Sequence, residues 1–131
     1  MKRFLMIFAL LLSIVAANAQ VQYYRSTAYA QANVYNGRYV WSDWQSSNMT
    51  ITINLNTDMI TIYSPRTQIY RVVSAGDAYN DSNGGRQVSF KVIDQDGDRG
   101  TIRLRIESNG NSQIYVDFSN VAWVYNVVRT S

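Results

Sequence analysis

The run Asp94-Gln95-Asp96-Gly97-Asp98 sets carboxylates on alternate positions of one turn. Alternating carboxylates of this kind supply the hard oxygen ligands that calcium takes. Against the EF-hand loop the run departs twice. Arg99 stands where glycine is required, and Arg105 takes the place of the bidentate glutamate. The spacing therefore reads as a hairpin turn in which Asp and Gly satisfy the backbone, with no metal expected.

Other reactive chemistry is thin. The sequence contains no histidine and no cysteine, which removes the Ser-His-Asp triad, the thiol nucleophile and the ordinary zinc site. A serine–lysine pair is available only at Ser89 and Lys91, and Lys91 falls on the outward side of its strand, where a solvated charge is the default. Paired carboxylates act as acid and base in glycoside hydrolysis, but most acids here sit in turns. No catalytic residue and no cofactor is expected. A carboxylate-based hydrolase is the one enzymatic alternative.

Aromatic side chains are the remaining functional material. The chain has ten Tyr and three Trp, and two of its four Phe, Phe4 and Phe8, lie in the leader described below. Trp123, Tyr125, Phe90 and Phe118 share a face with aliphatic neighbours and read as core. Tyr63 and Tyr115 fall on the opposite faces of their strands, and Trp44 falls on the side away from Trp41. Exposed rings of this kind stack on sugars or partner proteins, or pair across strands to shield an outer face.

These residues have to be held by strands. Apolar residues recur at every second position in Met49/Ile51/Ile53/Leu55, Val88/Phe90/Val92, Ile102/Leu104/Ile106, Ile114/Val116/Phe118 and Val121/Trp123/Tyr125/Val127. That alternation predicts half-buried antiparallel strands. Asn36-Gly37 is a strong hairpin signal. It pairs Val34 with Tyr39 and Ala32 with Trp41, and brings Ala30 level with Asp43. The small Ala28/Ala30/Ala32 row can then accept large rings. A short helix over residues 26–33 is the competing reading.

Four more hairpins put apolar residues opposite apolar residues. A turn around Asn56 to Met59 opposes Leu55 to Ile60 and Ile53 to Ile62. A loop at Asp96-Gly97-Asp98 opposes Val92 to Ile102, Phe90 to Leu104 and Val88 to Ile106. A loop at Asn109-Gly110-Asn111 opposes Ile106 to Ile114, Leu104 to Val116 and Ile102 to Phe118. A turn at Ser119-Asn120 opposes Val116 to Trp123 and Ile114 to Tyr125. Thr67 to Ser74 is a further strand with mixed faces, and Ala75 to Arg86 is a polar, Gly-rich loop.

The fold expected is all-β: an antiparallel meander of about eight or nine strands, closed into a small up-and-down barrel, with a two-sheet sandwich as the alternative. Eight strands enclose just enough room for side chains or for one small ligand.

The first nineteen residues read as a cleaved signal peptide. Lys2 and Arg3 precede an apolar run from Phe4 to Ala16, and Ala17-Asn18-Ala19 supplies the cleavage site. The run is short for a membrane span, and no cysteine follows it to take a lipid. Residues 20–131 are expected to form one soluble domain, periplasmic or extracellular, with no membrane span. Without Lys2 and Arg3, the twelve Lys and Arg become ten against nine Asp and Glu. That near-neutral balance argues against a nucleic-acid partner. The missing disulfides point to a bacterial export product, in which the triplets at Asn48 and Asn80 are chance glycosylation matches.

Trp41-Ser42-Asp43-Trp44, Ile60-Thr61-Ile62-Tyr63-Ser64 and the ending from Tyr115-Val116-Asp117-Phe118 through Trp123-Val124-Tyr125 resemble a group of short exported proteins from gut Bacteroidetes, a group that implies no activity. The layout also resembles secreted barrels of the lipocalin and avidin type. Lipocalins carry Gly-x-Trp near the first strand, whereas this chain has Gly37-Arg38-Tyr39-Val40-Trp41. Likeness of layout carries no function.

The functional expectation is a non-enzymatic binding barrel. In one version an apolar small molecule sits inside against Trp41, Trp123 and Tyr125. In the other, a glycan or an extracellular enzyme is met on the surface at Trp44, Tyr63, Tyr79 and the Ala75 to Arg86 loop.

Overall fold

The alternation read from the sequence becomes strands almost without exception. The computed structural model describes residues 21–109 and 111–130; the expected signal helix over residues 1–19 lies outside them. In chain order the strands are β1 (Val21–Tyr35), β2 (Arg38–Trp41), β3 (Gln45–Ser46), β4 (Thr50–Asn54), β5 (Met59–Ile62), β6 (Gln68–Ala75), β7 (Tyr79–Asn80), β8 (Arg86–Ile93), β9 (Arg99–Ile106), β10 (Ser112–Asp117) and β11 (Val121–Arg129). No helix occurs among the described residues, and residues 26–33 are strand.

Eight strands form the wall in the order β1-β4-β5-β6-β8-β9-β10-β11, and β11 pairs with β1 to close it. All the pairings are antiparallel. The barrel therefore forms, and the sandwich does not. Closure leaves the wall without a free edge, which is how an antiparallel meander avoids pairing with other chains. The short strands β2 and β3 add to β1, and β7 adds to β8. No helix among the described residues is long and apolar enough to cross a membrane.

The inward side chains form one contiguous cluster. It runs from Tyr24, Ile51, Ile53 and Ile62 through Tyr70, Val88 and Phe90 to Leu104, Ile114, Val116 and Tyr125. Each such side chain contributes about 1.5–3 kcal/mol when fully buried, so the core can hold the fold without disulfides. Burial pushes the Tyr24 phenol up to about 12, against a smaller lowering by Arg129.

Two hairpins pair as the sequence predicts. Asn36 and Gly37 both take positive φ, as a two-residue hairpin turn requires, and Val34 faces Tyr39 while Ala32 faces Trp41. The ladder then stops at Trp41, so Ala30 is not level with Asp43. At the other end Val116 faces Trp123 and Ile114 faces Tyr125.

Three hairpins are displaced by two residues from the expected register. Ile53 faces Ile60 rather than Ile62, Phe90 faces Ile102 rather than Leu104, and Leu104 faces Ile114 rather than Val116. In the first two the cause is the position of the left-handed residue in the loop. Gly97 (φ +86°) ends a loop over residues 95–97, closed by Asp94 N–H donating to Asp98 O. A centred glycine would pair Asp96 with Asp98. A type I turn ending in a left-handed residue is a standard three-residue hairpin loop. Asp58 (φ +57°) plays the same part after Asn54, whose Oδ1 accepts from the N–H groups of Asn56 and Thr57. A shift of two preserves the face of every side chain.

β1 changes sides partway. A bulge between Ser26 and Ala28 separates two registers with β11. Before it Gln22, Tyr24 and Ser26 face in; after it Tyr29 faces in, its ring 6.3 Å from that of Tyr125. Ala28, Ala30 and Ala32 are thereby turned outward.

Candidate functional site

The outward turn of the alanine row creates the most distinctive surface of the molecule. Ala30 faces Val124 on β11, Val124 faces Tyr115 on β10, and Tyr115 faces Arg103 on β9. These four share the outer face of the wall. From Arg38 to Asn54 the chain retraces β1 in three pieces, β2, β3 and β4, and it breaks from the ladder at Ser42–Trp44. Ser42 anchors that break, its N–H donating to Gln31 O (2.7 Å) while its Oγ accepts from Gln31 N–H (3.0 Å).

Trp41 and Trp44 come together there. With Ala30, Ser42, Tyr115 and Val124 they line an open groove of about 280 Å³. The two indoles remain 43% and 50% exposed. Holding two large rings half in water costs hydrophobic stabilisation that a buried position would supply. The floor beneath them is made by the small side chains of Ala30 and Val124.

A second cleft adjoins it through Tyr115. Asn83, Gln87, Arg103, Arg105, Glu107, Ser108 and Tyr115 line a polar hollow of about 520 Å³. Its charges are already paired. Arg103 Nε donates to Asp117 (3.0 Å) and its guanidinium lies 4.2 Å from the centre of the Tyr115 ring. Arg105 bridges Asp81 (2.8 Å) and Glu107 (3.0 Å).

Asp81 organises this end. One carboxylate oxygen accepts from the N–H groups of Asn83 and Gly85, closing the turn; the other accepts from Arg105 and from Gln87 Nε2. The Arg105 and Gln87 hydrogen bonds hold its carboxyl well below the usual carboxylate range. A carboxyl whose folded value is depressed contributes stability that is complete above its unfolded value, near pH 4, and is lost as the pH falls from there. Asp81→Asn is therefore expected to lower the urea midpoint at pH 7 and to shrink the drop between pH 5 and pH 2.5. An unchanged acid profile in the variant would remove Asp81 from this role.

Trp123 and Tyr125 face inward, Tyr125 within the core and Trp123 against it. Trp41 does not join them: it lies on the outer face, because its partner Ala32 follows the β1 bulge. Nor is Trp44 on the side away from Trp41, since both line one groove. The extended pattern assumed between them is broken at Ser42–Trp44. Tyr79 borders the polar cleft, donating through its hydroxyl to Gln87 Oε1 (3.2 Å). Tyr63 is exposed and lines neither cleft. Asp94 spends one oxygen on the N–H groups of Asp96 and Asp98, as a hairpin turn requires, and no group of three acids converges among the described residues.

Arg103, Arg105 and Gln87 are not among the sequence candidates, whereas Asp81 falls within the Ala75 to Arg86 loop named there without being singled out. Their signal was present in the outward positions 101–107 and 113–117, but only the true register of β9 against β10 puts Arg103 beside Tyr115. Compared with protein-family models, curated proteins and solved structures, the chain gives no match.

Proposed function

We propose that this protein is an exported, non-enzymatic binding module that takes a carbohydrate on the outer face of its barrel, against Trp41, Trp44 and Tyr115. The observation that carries this reading is the pair of half-exposed indoles set over the small floor of Ala30 and Val124. Sugar rings offer flat C–H faces to aromatic rings and hydroxyls to the polar groups beside them. An amphipathic groove of aromatic and polar side chains suits that combination.

Two observations weigh against the other readings. Trp123 and Tyr125 belong to or pack on the contiguous inner cluster, which favours an outer site over an apolar guest inside. Both oxygens of Asp81, the carboxylate that organises the polar cleft, are already engaged by Arg105, Gln87 and the N–H groups of Asn83 and Gly85, which leaves the cleft without the free acid–base pair of glycoside hydrolysis at this position.

A glycan array probed with the folded domain, followed by calorimetry on the best hit, tests the proposal. Trp41→Ala is expected to weaken binding about tenfold or more, close to 1.4 kcal/mol, with the barrel still folded because Trp41 lies outside the inner cluster. An array without hits overturns the reading. So does a fatty acid, bile acid or haem titration that quenches Trp123 equally in the wild type and in Trp41→Ala, since that places the ligand inside.

A further inference from the structure

Tyr115 lines both outer clefts, and the row Ala30–Val124–Tyr115–Arg103 continues onto Ser89 of β8. We infer that the two clefts are one extended site, and that it takes an uncharged oligosaccharide lying across the strands, stacked at the Trp41–Trp44 end and hydrogen-bonded at the Asn83–Arg103 end. This rests on the carbohydrate reading above and deepens it.

The length of the ligand follows from the sheet. From β1 to β8 by way of β11, β10 and β9 is four strand spacings, roughly 19 Å. A pyranose unit is about as long as one spacing, so the site spans roughly three to four units. The two ends differ in kind. Trp41 and Trp44 stand over an alanine and a valine, where a ring face gains most from stacking. At the other end Asn83 and Ser108, both on turns, face across Gln87, Arg103 and Glu107, where hydroxyls find donors and acceptors.

The pairing of charges selects a neutral ligand. Each arginine of the cleft is matched: Arg103 by Asp117, Arg105 by Asp81 and Glu107. A uronate or sulfate would have to displace one of those carboxylates or lie beside it, and like charge disfavours both. An arginine already held by a carboxylate is fixed in orientation and still carries further N–H donors, since guanidinium has five. That suits hydroxyl groups, which need geometry rather than net charge.

The experiment is calorimetry of the folded domain with neutral oligosaccharides of glucose, xylose, mannose and N-acetylglucosamine, from monomer to hexamer, and with oligogalacturonates as the charged series. For the neutral sugar that binds, affinity is expected to rise stepwise to roughly the tetramer and then level off. The double variant Asn83→Ala/Ser108→Ala, which changes only turn side chains, should bring the tetramer down to the affinity of the dimer and leave the dimer unaffected. Arg103→Gln should do the same if the Tyr115 end stays intact, which dimer binding reports. Neutral sugars that bind with no gain beyond the dimer overturn the extended site while leaving the stacking groove standing. Oligogalacturonates that bind as well as the neutral series overturn the uncharged ligand. No binding by any neutral sugar overturns the carbohydrate reading itself, and this inference with it.

Discussion

Phe90→Ala is expected to cost about 3–5 kcal/mol of folding stability, the usual range for emptying a buried aromatic position. Phe90 is almost fully buried at the middle of β8, between Ala75 on β6 and Ile102 on β9. Its neighbour Ala75 is small, so the phenyl ring occupies the space of two positions. Truncation would leave two adjacent alanines in a wall hydrogen-bonded on both sides, which cannot close over the void. Domains of this size are stable by only about 5–15 kcal/mol, so the loss is a large share of the whole. Urea unfolding followed by tyrosine and tryptophan emission would measure it. Val73→Ala, at an exposed bulged position of β6, is expected to stay within about 0.5 kcal/mol. A cost for Phe90→Ala no larger than that of Val73→Ala would mean that the inner cluster is not packed as described.

The fold was legible because alternation is a strong signal and survives errors of two. Leu104 is buried whether its partner is Phe90, as expected, or Val88, as found. The barrel therefore follows from pattern alone, while three registers do not. What pattern could not supply was the place of the left-handed residues Asp58 and Gly97 within their loops. Asp94 and Asp81 both accept from N–H groups two and four residues on, and Gly97 and Gly84 both end their loops. The motif Asp-x-(Asn or Asp)-Gly carries that information, because its glycine takes the last position of the loop in both cases.

The candidate site was less legible for two local reasons. The β1 bulge reverses the faces of Ala28 to Ala32, and nothing in an unbroken polar–apolar count marks it. The break at Ser42–Trp44 then brings Trp44 beside Trp41, where strict alternation separates them. The aromatic residues were recognisable as functional material; their grouping was not. The polar half depended on register. Arg103 meets Tyr115 only when β9 and β10 pair about Asn109 rather than Gly110, a step of one residue in the turn that moves every cross-strand partner by two.

Gly100→Ala tests that corrected register. In the true alignment Gly100 faces Val92 on the inner side of β9, and the Phe118 ring lies against it. A Cβ at this position would meet the ring at 2.7 Å and the carbonyl oxygen of Asp117 at 2.8 Å. Phe118 itself packs on Tyr70, with ring centres 6.0 Å apart, so it cannot swing aside freely. The expected loss is about 2–3 kcal/mol, the upper part of the range for overpacking, because a backbone oxygen can move only with its strand. The contribution of the ring separates from that of the carbonyl in a double-mutant cycle with Phe118→Ala. Removing the ring should recover part of the loss and leave the carbonyl clash. Had Ile102 faced Phe118, as centred loops imply, Gly100 would lie beyond the ring and alanine there would be tolerated. A neutral Gly100→Ala would restore that register and undo the neighbouring contact of Arg103 with Tyr115, on which the extended site depends.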